Sequence, residues 1–244
     1  MHSVISPAIM YWGTPVVLIT TENEDGTPNI APMSSAWWLA DRCVLGLASH
    51  SQTTINLMRT KQCVLNLPSD DMGSYVNAIA KTTGSPVIPP GKIRLGYAHC
   101  KDKFARSGLT PQASDLVRPP RISQCPVQME AEVMGSTKLM QDAPNPDSKR
   151  FLLAIEVKVL RTHIESDLRL AGHSNRVDPD RWRPMIMSFQ HLYGLAPEKL
   201  VDSTLASIDE EKYRTVTGTD QSKLGGNMDN VDTREVNGDA FTKD

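Results

Sequence analysis

Apolar residues in the first third of the chain fall into short runs divided by turn-forming residues. Pro15-Val16-Val17-Leu18-Ile19-Thr20-Thr21 is a near-continuous apolar run of strand length, and it ends in Glu22-Asn23-Glu24-Asp25-Gly26. An Asp-Gly pair between two strand-like runs signals a hairpin, because glycine accepts the left-handed backbone of the tight turn. Pro28 to Ser35 is the return arm. Pro32 within it predicts an edge or irregular strand, since proline has no N–H to give to a neighbouring strand. Ala36-Trp37-Trp38-Leu39 follows, then a third strand over Cys43 to Ala48, a short helix over Thr54 to Thr60 and a fourth strand over Cys63 to Leu67.

Further along, Tyr75, Val76, Ile79 and Ala80 recur at helical spacing and predict a helix over Asp70 to Lys81. Thr82 to Arg121 is rich in Gly, Pro and Lys and reads as a long excursion over the barrel; such lengths without regular structure usually serve function or an interface. Val127 to Val133 alternates apolar and polar residues, and Phe151 to Leu160 sets Glu156 and Lys158 opposite Ile155 and Val157. Strands dominate and no βαβ rhythm appears, so the pattern predicts a mainly β fold, an antiparallel barrel with a few peripheral helices. Ile208 to Asp244 is polar and Gly/Asn/Asp-rich with no periodic apolar face. The expected organisation is therefore one domain over 1–205 and a polar tail over 206–244, flexible or draped on a partner subunit.

Composition narrows the classes. A formal net charge of −2 and scattered Lys and Arg argue against nucleic acid as a partner and against attraction to an anionic membrane. Cys43, Cys63, Cys100 and Cys125 form no C-x-x-C pair, and two of them sit in apolar strand runs, which fits reduced thiols. The apolar N-terminal run is broken by Pro7, Gly13 and Pro15 and follows no basic segment, unlike a signal peptide. No stretch is long and apolar enough to span a bilayer. These features predict a soluble, cytoplasmic protein.

The candidate chemistry lies in Ala48-Ser49-His50-Ser51-Gln52-Thr53-Thr54-Ile55-Asn56-Leu57. From Ser49 to Thr54, six consecutive side chains can donate a hydrogen bond without a fixed charge, between a buried strand and a helix start. The first helical turn leaves backbone N–H groups unpaired and carries partial positive charge, so a phosphate is a natural guest there. The plain alternative is an ordinary N-cap, with Thr53 or Thr54 satisfying its own helix. No G-x-G-x-x-G, H-E-x-x-H, Cys/His cluster or G-x-S-x-G is present, which sets aside Rossmann, zinc and hydrolase-elbow readings and predicts no metal site.

Five segments in order, PVVLITTENEDGTPNIAPMSSAWWL, LASHSQTTINLMRTKQCVLNLPS, TTGSPVIPPGKIRLGYAHCKDKFARSGLT, VRPPRISQCPVQMEAEV and DPDRWRPMIMSFQHLYGL, resemble the flavin reductase-like family of FMN-binding split-barrel proteins. The resemblance runs from about Pro15 to Leu195. It implies an antiparallel, Greek-key-like split barrel and bound FMN. The segment holding Asn29, Pro32, Met33, Ser34 and Ser35 would line the flavin ring, partly through main-chain groups. Ser49, His50, Ser51, Gln52, Thr53 and Thr54 would hold the ribityl chain and phosphate, with Asn56 just beyond. It further implies an oxidoreductase taking hydride from NADH or NADPH, and a homodimer with flavin near the interface. The alternatives are a non-catalytic flavin binder and a flavin reductase partner of a two-component monooxygenase. No side chain is expected to act as nucleophile. One departure stands out: many relatives carry a basic residue where this chain has His50.

Other residues carry weaker expectations. Trp37 and Trp38 face opposite sides of their strand, so one belongs to core or interface. Arg121, Lys92 and Lys103 are candidates for anion contacts, with a surface ion pair or plain solvation as the ordinary alternative. His173 and His191 are candidates to approach the flavin, against a structural role, and Tyr97 and Tyr193 are expected to pack.

Overall fold

The computed structural model describes residues 1–216. Seven strands build the main sheet: β1 (Val17–Glu22), β2 (Pro28–Met33), β3 (Ala36–Leu39), β4 (Arg42–Ala48), β5 (Gln62–Leu67), β6 (Val127–Lys138) and β7 (Leu152–Ile164). Their spatial order is β2-β1-β5-β6-β7-β4-β3, and every pairing is antiparallel. The two outermost strands, β2 and β3, are consecutive in the chain and joined only by Ser34 and Ser35. That link reaches about 10 Å at most, so the sheet must curl until its edges nearly meet. This seam is the split of the barrel. Gly46 N–H donates to Ser35 C=O at 2.7 Å, and a Cβ on Gly46 would stand 3.0 Å from Ser35 Cβ.

The two faces of β1 explain why its sequence is apolar throughout. Val17 and Ile19 point into the barrel with Leu45, Leu47, Leu65, Ile155 and Val157. Val16 and Leu18 face outward into a second cluster with Ile30, Met72, Val76, Ile79, Phe104, Ile122 and Met185. Strands covered on both faces lose the apolar/polar alternation. Four helices are placed around the sheet: α1 (Gln52–Thr60), α2 (Gly73–Ile79), α3 (Pro90–Arg94) and α4 (Lys103–Ser107). The helix expected over Asp70 to Lys81 is a 3-10 turn at Asp70–Met72 followed by α2.

Three features differ from the sequence pattern. Pro15 leaves β1 and pairs with Ile186 in a small sheet made of Trp12–Pro15, Ile186–Ser188 and His191–Tyr193. Strands of three or four residues are too short to show a period. Next, β6 and β7 extend past their expected ends. Their outer halves are solvated, with Met134 about half exposed, so no buried face marks them. Finally, the excursion over Thr82 to Arg121 contains α3, α4 and short strand pairs.

The excursion is tied to the barrel by a buried carboxylate. Glu130 is fully buried and accepts from the backbone N–H of Asp115 (2.9 Å), Leu116 (2.5 Å) and Val117 (3.2 Å), while His163 Nε2 sits 2.7 Å away. Desolvation pushes the Glu130 carboxyl upward, but these donors outweigh it and hold it below its usual range. The four cysteines are unpaired, and burial pushes the Cys43 thiol up to about 12.

The beginning of the expected tail forms 3-10 turns, Thr204–Ser207 and Glu210–Val216, with Arg176 paired to Asp209. The remainder of that tail, residues 217–244, lies outside the described residues. No helix among the described residues is long and apolar enough to cross a membrane.

Candidate functional site

The start of α1 follows from its sequence. Ser51 is the N-cap, in extended conformation (φ −73°, ψ 147°), and its Oγ accepts from Thr54 N–H at 3.2 Å. Thr54 Oγ1 donates to Ala48 C=O at 2.8 Å, which uses its only proton. The 2.9 Å contact between Ser51 Oγ and Thr54 Oγ1 therefore takes its proton from Ser51. Both hydroxyls are fully engaged as donors, so the capping alternative accounts for Ser51 and Thr54. Gln52 Nε2 gives one N–H to Asn56 Oδ1 at 2.9 Å and keeps the other. Thr53 Oγ1 accepts from Asn29 Nδ2 at 3.2 Å and retains its own proton.

Beneath them lies a buried polar network. Asn56 donates to Thr21 Oγ1 (3.1 Å) and Asn23 Oδ1 (2.9 Å), and Asn29 reaches Thr21 Oγ1 at 3.4 Å. Asn29, Thr53 and Asn56 thus lock α1 to β1 and β2. What α1 offers outward is narrower than six side-chain donors. It comprises the first-turn N–H groups of Gln52 and Thr53, the second Gln52 Nε2 N–H, the Thr53 hydroxyl proton, the Ser49 hydroxyl, which has no partner among the described residues, and the exposed His50. The His50 ring lies 5.0 Å from that of Phe151, against the end of the barrel. No acidic residue stands in the first turn to offset the partial positive charge.

β2 is an edge strand, as Pro32 anticipates. Ile30 C=O points away from β1, since it accepts from Lys103 Nζ at 2.8 Å. By alternation Pro28 and Pro32 face the same open side, where a missing N–H breaks no ladder bond. Met33 packs against the barrel core, while Ser34 is buried at the seam. Ser35 Oγ meets Tyr11 OH at 2.9 Å. The predicted ring-lining segment and the predicted phosphate loop are therefore neighbours, coupled through Asn29 and Thr53.

A cavity of about 290 Å³ opens beside the first residue of α1, lined by Asn23, Thr27, Gln52, Gly84, His99 and Lys101 among others. Gly84 of the excursion presses on the network so closely that an added Cβ would lie 2.5 Å from Asn29 Oδ1. Pro32 to Ser35 do not line this cavity. Pro32, Met33 and Ser35 are half-buried, and Trp37, next in the chain after Ala36, is 54% exposed. Trp38, on the opposite face from Trp37, packs on the barrel core.

The remaining candidates sort clearly. Arg121 is structural, donating to Ala113 C=O and Gln128 Oε1. Lys92 stands 5.4 Å over the Tyr97 ring, and His173, His191 and Tyr193 are exposed. Lys103 departs from ordinary solvation: only 4% of it is exposed. Sequence reasoning also missed Gly84, Tyr11 and the Glu130–His163 pair. Asp115, Glu130 and His163 offer ligand atoms within 4.8 Å of one another, but Glu130 already accepts from four donors and is occupied in holding the excursion.

A seven-stranded antiparallel sheet curled to a seam, with an uncompensated helix N-terminus beside an open edge strand, defines the class of mainly β split-barrel proteins. Comparison with known proteins makes the assignment specific. The family described as Flavin reductase like domain matches residues 10–178, well over half of the chain, and the chain belongs to that family. It is thereby placed among flavin-related oxidoreductases. It is 40% identical over 194 residues to the uncharacterized protein YdfE of Bacillus subtilis, covering 80% of this chain and 89% of that one. The fold is shared with the flavoredoxin of Desulfovibrio vulgaris (TM-score 0.65, 15% identity, 85% of this chain and 98% of that one). It is also shared with nitrilotriacetate monooxygenase component B from Bacillus cereus (TM-score 0.61, 18% identity, 82% and 98%).

Proposed function

We propose that this protein is an FMN-dependent oxidoreductase that draws on NADH or NADPH. The observation that carries the reading is the pairing of an anion-ready helix start with an open edge strand. The N–H groups of Gln52 and Thr53, helped by the Ser49 hydroxyl and His50, suit the terminal phosphate of FMN. Ser51, Gln52, Thr53, Thr54, Asn56 and Asn29 hold that loop in shape through bonds to one another and to β1. The Pro32 C=O on the unpaired edge and the main chain of Ser34 and Ser35 at the seam suit the ring, whose rim presents both acceptors and an N–H donor, while Met33, in register with Val17, and the Ser35 C=O, taken by Gly46 N–H, serve the sheet. When bound, FMN supplies the hydride chemistry between the nicotinamide donor and an acceptor, so the protein needs no nucleophilic side chain.

A homodimer in the cytoplasm, with the exposed Trp37 at the contact, would wall the ring on its second side and cover apolar surface that one barrel leaves exposed. The deciding experiment is the visible spectrum of the purified protein, anaerobically, before and after NADH or NADPH. Flavin bands that bleach on addition support the reading. A colourless protein that binds no added FMN removes it, and bound flavin that never bleaches leaves a flavin binder without this activity. Flavin that stays with the protein through gel filtration marks a fixed group, whereas loss to the small-molecule fraction marks an exchanging one, as a monooxygenase partner needs. Sedimentation tests the dimer.

A further inference from the structure

Lys103 is buried in a way that the fold alone does not require. It is the first residue of α4, only 4% exposed, and sits beside Phe104 of the outer core. Its amine makes one bond, 2.8 Å to Ile30 C=O on the open edge of β2, and two of its three N–H bonds have no protein partner among the described residues. No carboxylate is among the neighbours that act on it, and the charge it feels is the like charge of Lys92. An ammonium taken out of water without an opposite charge is costly, and this one is placed on a neutral carbonyl. Burial accordingly lowers its pKa to about 8, so it keeps its proton at neutral pH.

Its position within the strand matters. Ile30 is flanked by Asn29, which grips Thr53 of α1, and lies two residues before Pro32. At about 3.4 Å per residue, Pro32 is roughly 7 Å along the strand and Ser34, just past its end, at most roughly 14 Å away. Resting on the FMN reading above, we propose that Lys103 is a positioning residue that supplies positive potential to the ring-binding edge and so favours flavin in its reduced, more negative state. A unit charge about 10 Å away in an effective dielectric near 20 shifts a binding constant by on the order of tenfold.

The test is a comparison of wild type with Lys103→Met, Lys103→Gln and Lys103→Arg at pH 7. Dissociation constants are measured for oxidised and dithionite-reduced FMN and riboflavin, with thermal melts to confirm folding. The expected result for Met and Gln is oxidised FMN bound within about twofold of wild type and reduced FMN bound about tenfold more weakly, equivalent to a midpoint potential lower by about 30 mV for the two-electron couple. Riboflavin should show the same change in ratio, and Arg should restore most of it. An unchanged ratio in folded Met and Gln variants overturns the proposal. So does a loss confined to FMN and equal in both oxidation states, which would place the charge at the phosphate. If wild type binds no flavin at all, the FMN reading itself falls, and this inference with it.

Discussion

Replacing Glu130 with Gln removes one charge and exchanges one acceptor oxygen for an NH2 group, at a site with no solvent to absorb the change. One oxygen serves Asp115 N–H and His163 Nε2, the other Leu116 and Val117 N–H. The least damaging arrangement turns the NH2 toward His163, whose ring changes tautomer to accept, and leaves Asp115 N–H without a partner. One donor orphaned at a part-buried bond together with the loss of charge-assisted bonds costs about 1–3 kcal/mol. The assay is urea denaturation across pH.

The pH dependence of that experiment has a definite sign. Desolvation raises the Glu130 carboxyl, but the N–H groups of Asp115 and Leu116 and the His163 ring lower it further, so its folded pKa lies below the unfolded value. A depressed pKa contributes stability above the unfolded carboxylate range and loses it as pH falls through the folded value. Wild type should therefore lose stability steadily below about pH 4.5, and the Gln variant should lose less over the same window. Hydrogen exchange at 115–117 should quicken in the variant. Equal midpoints at pH 7, within about 0.5 kcal/mol, together with parallel pH slopes would refute the assignment of Glu130 as the anchor of the excursion.

Three further outcomes are expected. Gly84→Ala places a methyl group against Asn29 Oδ1, so the excursion or the Asn29–Thr53 bond must shift; FMN affinity by fluorescence titration should fall at least several-fold, with about 1–3 kcal/mol of stability lost. Ser51→Ala should cost about 1 kcal/mol in a thermal melt through loss of the cap, whereas Ser49→Ala should leave the melt within error and weaken FMN binding. The opposite pattern would place the cap and the ligand contact the other way round. In native protein a thiol reagent should label Cys100 first, and Cys43, Cys63 and Cys125 only on unfolding, since burial raises all three thiols and hides them.

Much of the barrel was legible from local signals. The run Val16 to Ile19, the turn at Asp25-Gly26, the edge strand marked by Pro32, and the helix beginning within the hydroxyl row each depend on neighbours a few residues away, through backbone freedom and side-chain period. Gly26 takes φ +78° in that turn, as the dipeptide requires. The resemblance to a flavin-binding family was likewise carried by consecutive residues. It was enough to place the chain in its class.

The sequence by itself therefore determined the strand and helix order of the barrel's first half and the edge character of β2, and it placed the helix start two residues late, at Thr54 instead of Gln52. Only the tertiary structure decided which donors in that loop remain free. Thr53 spends acceptor capacity on Asn29, 24 residues away, and Asn56 spends its donors on Thr21 and Asn23, 35 and 33 residues away. It also decided that Lys103 is buried against Ile30, 73 residues distant, and that Glu130 holds a loop rather than facing water. The reason is that backbone preferences act along the chain, whereas the partners of a polar side chain are set by strand register and by the curl that brings two sheet edges to one seam.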